Sequence, residues 1–206
     1  MTARTLAGMD ADGVVEVLAR IGVELADQLL RAEGSVPPPT VYLLTKFLPD
    51  PYLGGVSARP YRRGEDAAAA VAELGTLASV ARATRLVVIW EYQDLLVSLQ
   101  DPRAASCPNG VVVLDADFFD HVVRWHPARF RLPGEHYDVS AVVLPEWGEP
   151  IWHENATLPA PVVRLLETWR EVRGGDVAAE LARLEAAGFL TSWRSERDGV
   201  GQPVRR

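Results

Sequence analysis

The stretch TRLVVIWE, residues 84–91, and its later counterpart GVVVLDAD, residues 110–117, decide the fold. Both are continuous apolar runs of strand length, without the polar alternation of a strand that has one wet face. Such runs read as central strands buried within a sheet. Shorter β-branched and aromatic runs surround them. TVYLLTKF (40–47), the turn-rich LPDPYLGG (48–55) and VSARPYRR (56–63) predict a hairpin. DHVVRWHPARFRL (120–132) reads as a hairpin partner of the 110–117 strand. SAVVLPEW and PIWHENA read as two more strands flanking a Gly-Glu-Pro turn. YQDLLVSLQ (92–100) fits helix and strand equally.

Helices bracket these strands. Over residues 12–33, Val14, Leu18, Ile21, Leu25 and Leu29 recur at helical spacing, with Glu16, Arg20, Asp27 and Arg31 on the other face. Asp12 is a candidate cap, and Gly34 ends the helix ahead of three prolines, Pro37 to Pro39. Glu16/Arg20 and Asp27/Arg31 stand four residues apart with the acid first, the better order. Residues 65–82 form an alanine-rich helix, in which Gly75 and the alanines permit a close approach to a sheet. Two further helices are expected over 159–173 and from Asp176 to Ala187, the last closed by Gly188 with Phe189 against Leu184. The reading is an α+β fold with a mixed or mostly antiparallel sheet of about five to seven strands and helices at both ends. Its parts are an N-terminal amphipathic helix (1–34), an α+β core (40–173) and a C-terminal helix with a hairpin-like tail (174–206).

Composition narrows the function classes. A chain of 206 residues with 48% hydrophobic and 24% charged residues is globular, not disordered. At this length roughly 70% of the unfolded surface is buried on folding, so neither a disulfide nor a metal is required. Cys107 is the only cysteine, which excludes an intramolecular disulfide and a cysteine-based zinc site. A net charge of −7 argues against nucleic acid and anionic membranes as partners. Lys46 is the only lysine; since lysine codons are AT-rich, the composition fits a gene from a high-GC bacterium. No signal-peptide core and no 20-residue apolar run occurs, so a cytoplasmic location is expected.

Candidate chemistry is sparse. Glu91 follows one central strand, Asp115 and Asp117 end the other, and Asp120 and His121 lie just beyond. If these strands are neighbours with aligned ends, the carboxylates and the imidazole converge as in a metal-dependent hydrolase or nuclease. Aspartates also end strands simply by forming turns. His121 and His126 are five apart, which suits no metal pair on a strand or a helix. His136 and His153 have no partner at ligand spacing either. Phosphate-binding glycine loops and the serine-nucleophile motifs are absent, and no cofactor is implied. Arg59, Arg62 and Arg63 around Tyr61, and Arg124, Arg129 and Arg131 around Trp125 and Phe130, interleave bases with aromatic rings. That suits single-stranded nucleic acid, or equally this acidic surface.

Residues 176–206, DVAAELARLEAAGFLTSWRSERDGVGQPVRR, resemble the helix, glycine turn and wing hairpin of winged-helix transcription regulators. The resemblance implies a recognition helix carrying Arg183, supported by Arg194 and Arg197, and a wing tip at Asp198-Gly199. It covers this tail alone. A groove-reading helix needs several donors, and this one carries a single arginine beside Glu180 and Glu185.

Six tryptophans are the compositional excess. Trp125, Trp147 and Trp152 fall within the 120–155 strands, and tryptophan is enriched at recognition surfaces. With the apolar stripe of the first helix, notably Ile21 and Leu25, they are the candidate binding residues. The expectation is a non-catalytic interaction or assembly protein that works through a protein partner or self-association. Its alternatives are the carboxylate-based hydrolase and the DNA-binding tail.

Overall fold

A computed structural model describes residue 6 and residues 8–131, 143–154 and 156–194. Expectations placed on His136, on the strand start at 140–142, on Asn155, on Arg197 and on the Asp198-Gly199 turn lie outside the described residues.

The strands are β1 (Thr40–Leu44), β2 (Tyr52–Ser57), β3 (Arg85–Glu91), β4 (Gly110–Ala116), β5 (His121–Arg131), β6 (Leu144–Trp147), β7 (Ile151–Glu154) and β8 (Leu190–Trp193). They form one antiparallel sheet of order β6-β5-β4-β3-β1-β2-β8, with β7 also on β5. The helices are α1 (Ala11–Glu33), α2 (Glu65–Glu73), α3 (Gly75–Val80), α4 (Tyr92–Ser98), α5 (Ala160–Arg170) and α6 (Val177–Ala186). The α+β class, with helices at both ends, is as read from the sequence. The strand count rises to eight because the tail contributes β8, which pairs with β2. The two strands read on either side of the Gly-Glu-Pro turn are present as β6 and β7, which pair in succession with the same edge of β5 rather than with each other. Ala128 faces Trp147 and Trp125 faces Ile151, so the 148–150 segment holds one residue more than β5 does opposite it. That is a bulge within one edge strand.

β3 and β4 pair at the centre, Leu86 opposite Ala116 through Glu91 opposite Val111. One face carries Val88, Trp90, Val112 and Leu114 and is covered by α2, α3 and α5. The other carries Val87, Ile89, Val111 and Val113 and is covered by α1. The alanine-rich helix breaks at Leu74 into α2 and α3. Gly75 serves a helix rather than the sheet, for a Cβ there would overlap the Leu165 carbonyl oxygen of α5. The 92–100 segment resolves as helix, because the Glu91 side chain accepts from Asp94 N and caps α4. Among the described residues no helix is long and apolar enough to cross a membrane.

α1 begins one residue earlier than expected, capped by Asp10 rather than Asp12, and ends at Gly34 in the left-handed conformation (φ 64°). Its buried side is Val14, Val15, Leu18, Ala19, Gly22, Ala26 and Leu30. Ile21 is therefore only half-buried and Leu25 is 40% exposed. Polar contacts along one helix edge set this rotation. Glu16 takes both terminal nitrogens of Arg124 on β5, Asp27 accepts from the Trp147 indole at 3.0 Å, and Arg31 donates to Pro145 O. Arg20 pairs with Glu24 instead of Glu16, while the Asp27–Arg31 pair forms as expected at 2.8 Å.

Two of these carboxyls are pulled below their ordinary values, Glu16 by its hydrogen bonds from Arg124 and Asp27 by those from Arg31 and then Trp147. A depressed folded pKa means the clasp acts fully above the ordinary values of 4.5 and 3.8 and weakens as pH falls below them. Amide-exchange protection across α1 is expected to drop between pH 6 and pH 3, and Glu16→Gln to shrink that drop. Equal protection at both pH values would contradict the clasp.

Candidate functional site

The acidic residues do not converge. Glu91 lies opposite Val111, whereas Asp115 stands four residues further along β4, roughly 13 Å away along the strand. Glu91 is buried and fully used, accepting from Gly110 N at 2.7 Å and from Asp94 N. Burial nevertheless pushes its pKa up. Asp115 is held by Arg85 through two bonds of 2.7 Å, and Arg85 also takes Asp12. Asp117 accepts from the backbone of Phe119 and Asp120, which lowers its pKa and closes the turn after β4. His121 Nε2 reaches the Ala156 carbonyl at 3.0 Å. Among the described residues no group of three or more His, Cys, Asp or Glu is placed to hold a metal ion. Among the described residues, Glu91, Asp115 and Asp117 therefore do not form one carboxylate cluster.

Of the basic candidates, Arg59 pairs with Asp66, Arg124 with Glu16 and Arg194 with Asp50, while Arg62, Arg63 and Arg129 are exposed. Arg183 on α6 binds Glu73 and Glu180 at 2.6 and 2.8 Å, so the helix matched to a recognition helix directs its arginine at its own neighbours. β8, matched to the wing, extends the main sheet.

The tryptophans sort differently from the sequence expectation. Trp147 is anchored to α1 through Asp27. Trp152 is 57% exposed and lies under the Arg124 guanidinium, 3.9 Å from its ring centre, on the α1 face. Trp125 points to the opposite face and lines a cavity of about 290 Å³. Its floor is one row across three strands, Trp90 opposite Val112 and Val112 opposite Trp125, with Val123 beside it. The segment 156–159, leading into α5, forms the roof, while Tyr92, Pro108 and His153 close the sides. The His121–Ala156 hydrogen bond ties down that roof. Gly110 lets Trp125 seat, because a Cβ there would overlap the Trp125 Nε1 and the His126 carbonyl oxygen.

One feature sets this cavity apart: its lining holds no Lys, Arg, Asp or Glu. The Nε1 groups of Trp90 and Trp125 are buried beneath it, that of Trp125 against Gly110, and among the described residues have no acceptor. Elsewhere the fold satisfies its buried indoles, as where Trp169 donates to Ala83 O at 2.8 Å. An unmade hydrogen bond at a buried donor costs about 1–3 kcal/mol. Arg124, Arg170 and His126 also leave one nitrogen each unpartnered. The two arginines spend their remaining donors on Glu16 and on Asp117 O, and burial lowers the pKa of His126, favouring the neutral ring.

The sequence reading included Trp125 but missed Trp90, Tyr92 and His153. The available signal was the strand alternation, which sets Trp125 and His153 on one face and Trp152 on the other. Comparison with protein-family models, curated proteins and solved structures finds no match to this chain.

If Asp115 is structural, Asp115→Asn is expected to cost about 1–3 kcal/mol of unfolding free energy, because Arg85 loses its charged, two-bond partner. Urea denaturation measures this, and a variant as stable as the parent would overturn the assignment.

Proposed function

We propose that this chain is a non-catalytic binding protein whose ligand is a small molecule held in the Trp90–Trp125 cavity. The observation that carries the reading is an aromatic-lined cavity whose lining holds no Lys, Arg, Asp or Glu. An apolar concave surface with a few polar groups at its edge, here Tyr92, His153 and Thr157, suits a small ligand. The volume supports a small ligand. About 290 Å³ is roughly twice the 150 Å³ that encloses benzene and sits at the lower end for ligand pockets. The non-catalytic part rests on the acids described above, each tied to an arginine or to backbone N–H groups.

A screen of aromatic fragments of about ten to fifteen heavy atoms, read by calorimetry, is expected to give one-to-one binders. Thr157 is exposed on the roof, so Thr157→Phe narrows the mouth without touching the core. It is expected to weaken those binders at least tenfold while leaving the melting temperature unchanged. A screen without binders would remove the reading.

A second reading, self-association, is favoured by a separate surface. On the α1 side, Leu44 and Tyr52 are buried in the cluster that includes α1, and beyond them lies an open cleft of about 320 Å³ that includes Tyr42, Tyr52, Gly55 and Ser192. Leu190 in this cleft is 69% exposed. Ile21 and Leu25 lie roughly 120–160° around α1 from Asp27, on the edge away from β6. A second copy of this chain would cover these apolar groups. Sedimentation equilibrium is expected to show a dimer that Leu25→Asp dissociates into a folded monomer. A parent protein that is monomeric at all concentrations would exclude this mode.

A further inference from the structure

We infer that the open cleft beside β8 is a carbohydrate site, whose ligand is a neutral saccharide seated on the Tyr42 ring among hydroxyl groups. This goes beyond the Trp90–Trp125 reading and concerns the other face of the sheet. It also gives the cleft a ligand in place of a second copy of the chain.

Register brings the groups together. Tyr42 lies opposite Val87, which belongs to the core on the α1 side. On its other side Tyr42 lies opposite Gly55, and Gly55 lies opposite Ser192. Residues directly opposite each other share a face, so these three form one row across β1, β2 and β8. Thr40 and Ser57 form the next row, two residues along, and their hydroxyls meet at 2.8 Å. All five line the cleft.

The floor of the cleft is an aromatic ring laid over a glycine. A Cβ on Gly55 would stand 2.9 Å from Tyr42 Cδ1, so the ring leans across Gly55 rather than standing up from the sheet. Glycine inside a strand weakens it and marks a place where something approaches the backbone closely. Here the Tyr42 ring makes that approach, and Tyr42 stays only half-buried. A flat ring with a polar tip suits the C–H face of a sugar with hydroxyls at its rim.

The polar groups around the ring are of one kind. A hydroxyl both donates and accepts, which matches a ligand whose own polar groups are hydroxyls. Among the described residues the Tyr42 hydroxyl has no hydrogen-bond partner, and it keeps accessible surface. Burial and then Tyr52 push its pKa up to about 12, so it is neutral. Thr40 donates to Pro38 O at 3.0 Å, which makes Ser57 the donor to Thr40 and leaves the Ser57 oxygen able to accept. Ser192 is exposed, and its contact with Gly55 O is long at 3.5 Å. Arg194 is the one lining side chain charged at neutral pH, and Asp50 holds it at 2.9 Å. A charged sugar would therefore lose hydration without gaining a partner.

Calorimetry on the full chain at pH 6, where an amino sugar is protonated, tests this. The probes are glucose, galactose and maltose as neutral sugars, glucuronate as the anion and glucosamine as the cation. At least one neutral sugar is expected to bind one-to-one, and at least fivefold more tightly than either charged sugar. Ser192→Ala and Tyr42→Phe each remove one hydroxyl and are expected to weaken that sugar roughly two- to tenfold. Gly55→Ala displaces the ring and is expected to abolish binding. Should that variant fail to fold, the two hydroxyl variants and the order of the probes on the parent protein still decide. An unchanged affinity in both hydroxyl variants would overturn the site, and a charged sugar binding tightest would overturn the neutral class. No binding by any sugar overturns the inference outright, including the case where sedimentation shows a second copy over the cleft. The aromatic fragments of the Trp90–Trp125 test are read separately, so either reading can fail alone.

Discussion

Antiparallel pairing of β3 with β4 puts an apolar side chain on both faces at nearly every position, from Leu86 to Trp90 and from Val111 to Leu114. Neither strand can meet water, so each face must be roofed by its own layer. The two roofs differ in kind. On one face, α2, α3 and α5 close against the sheet with small residues, and Gly75 lets two helix backbones approach. On the other, α1 alone covers the strands, and polar contacts at its edge supplement the apolar ones. Coverage is incomplete on both faces. The helical layer ends short of the β5 and β7 side, where the cavity forms, and on the α1 face cover reaches Leu44 and Tyr52 but leaves the open cleft beside β8.

The partners of the tryptophans separate support from recognition. Trp169 and Trp147 each donate to an oxygen supplied by the fold, and each holds one layer against another. Trp152 contributes a ring face to Arg124, which itself holds Glu16 of α1. These three have structural work that accounts for their size. Trp90 and Trp125 fill space on the sheet in the same way, and among the described residues their buried N–H groups have no acceptor. Trp125 also presents its ring to the uncharged cavity beside β7.

Local signals carried much of the architecture. The two apolar runs, the pairing of a strand at 40–44 with the one after it and the glycine ending α1 act over a few residues and could be read from neighbours in the chain, although β2 is Tyr52–Ser57, largely inside the stretch read as turn and not at 56–63. What was not legible depended on partners far apart in sequence. The rotation of α1 follows from Arg124 and Trp147, more than a hundred residues away, so the stripe through Ile21 and Leu25 was misplaced by its own periodicity. The acids at 91 and 115 were expected to meet only if their strand ends coincided, and antiparallel register sets them apart. Trp125 and Trp152 were grouped by proximity in sequence, although alternation and pairing send them to opposite faces. The acceptor-free indoles are visible only once every nearby oxygen has been placed.

The bulge between β6 and β7 has an evolutionary corollary. Side chains alternate with a period of two, and β5 takes three steps from Ala128 to Trp125 where the edge strand takes four from Trp147 to Ile151. The bulge absorbs that odd step, so loss of one residue at 148–150 would restore a regular ladder with Ile151 still opposite Trp125 and His153 still opposite Val123. The facing of Trp152 and His153 is therefore buffered against a single-codon deletion in this loop, and descendants of this chain change the wall of the cavity by substitution rather than by register.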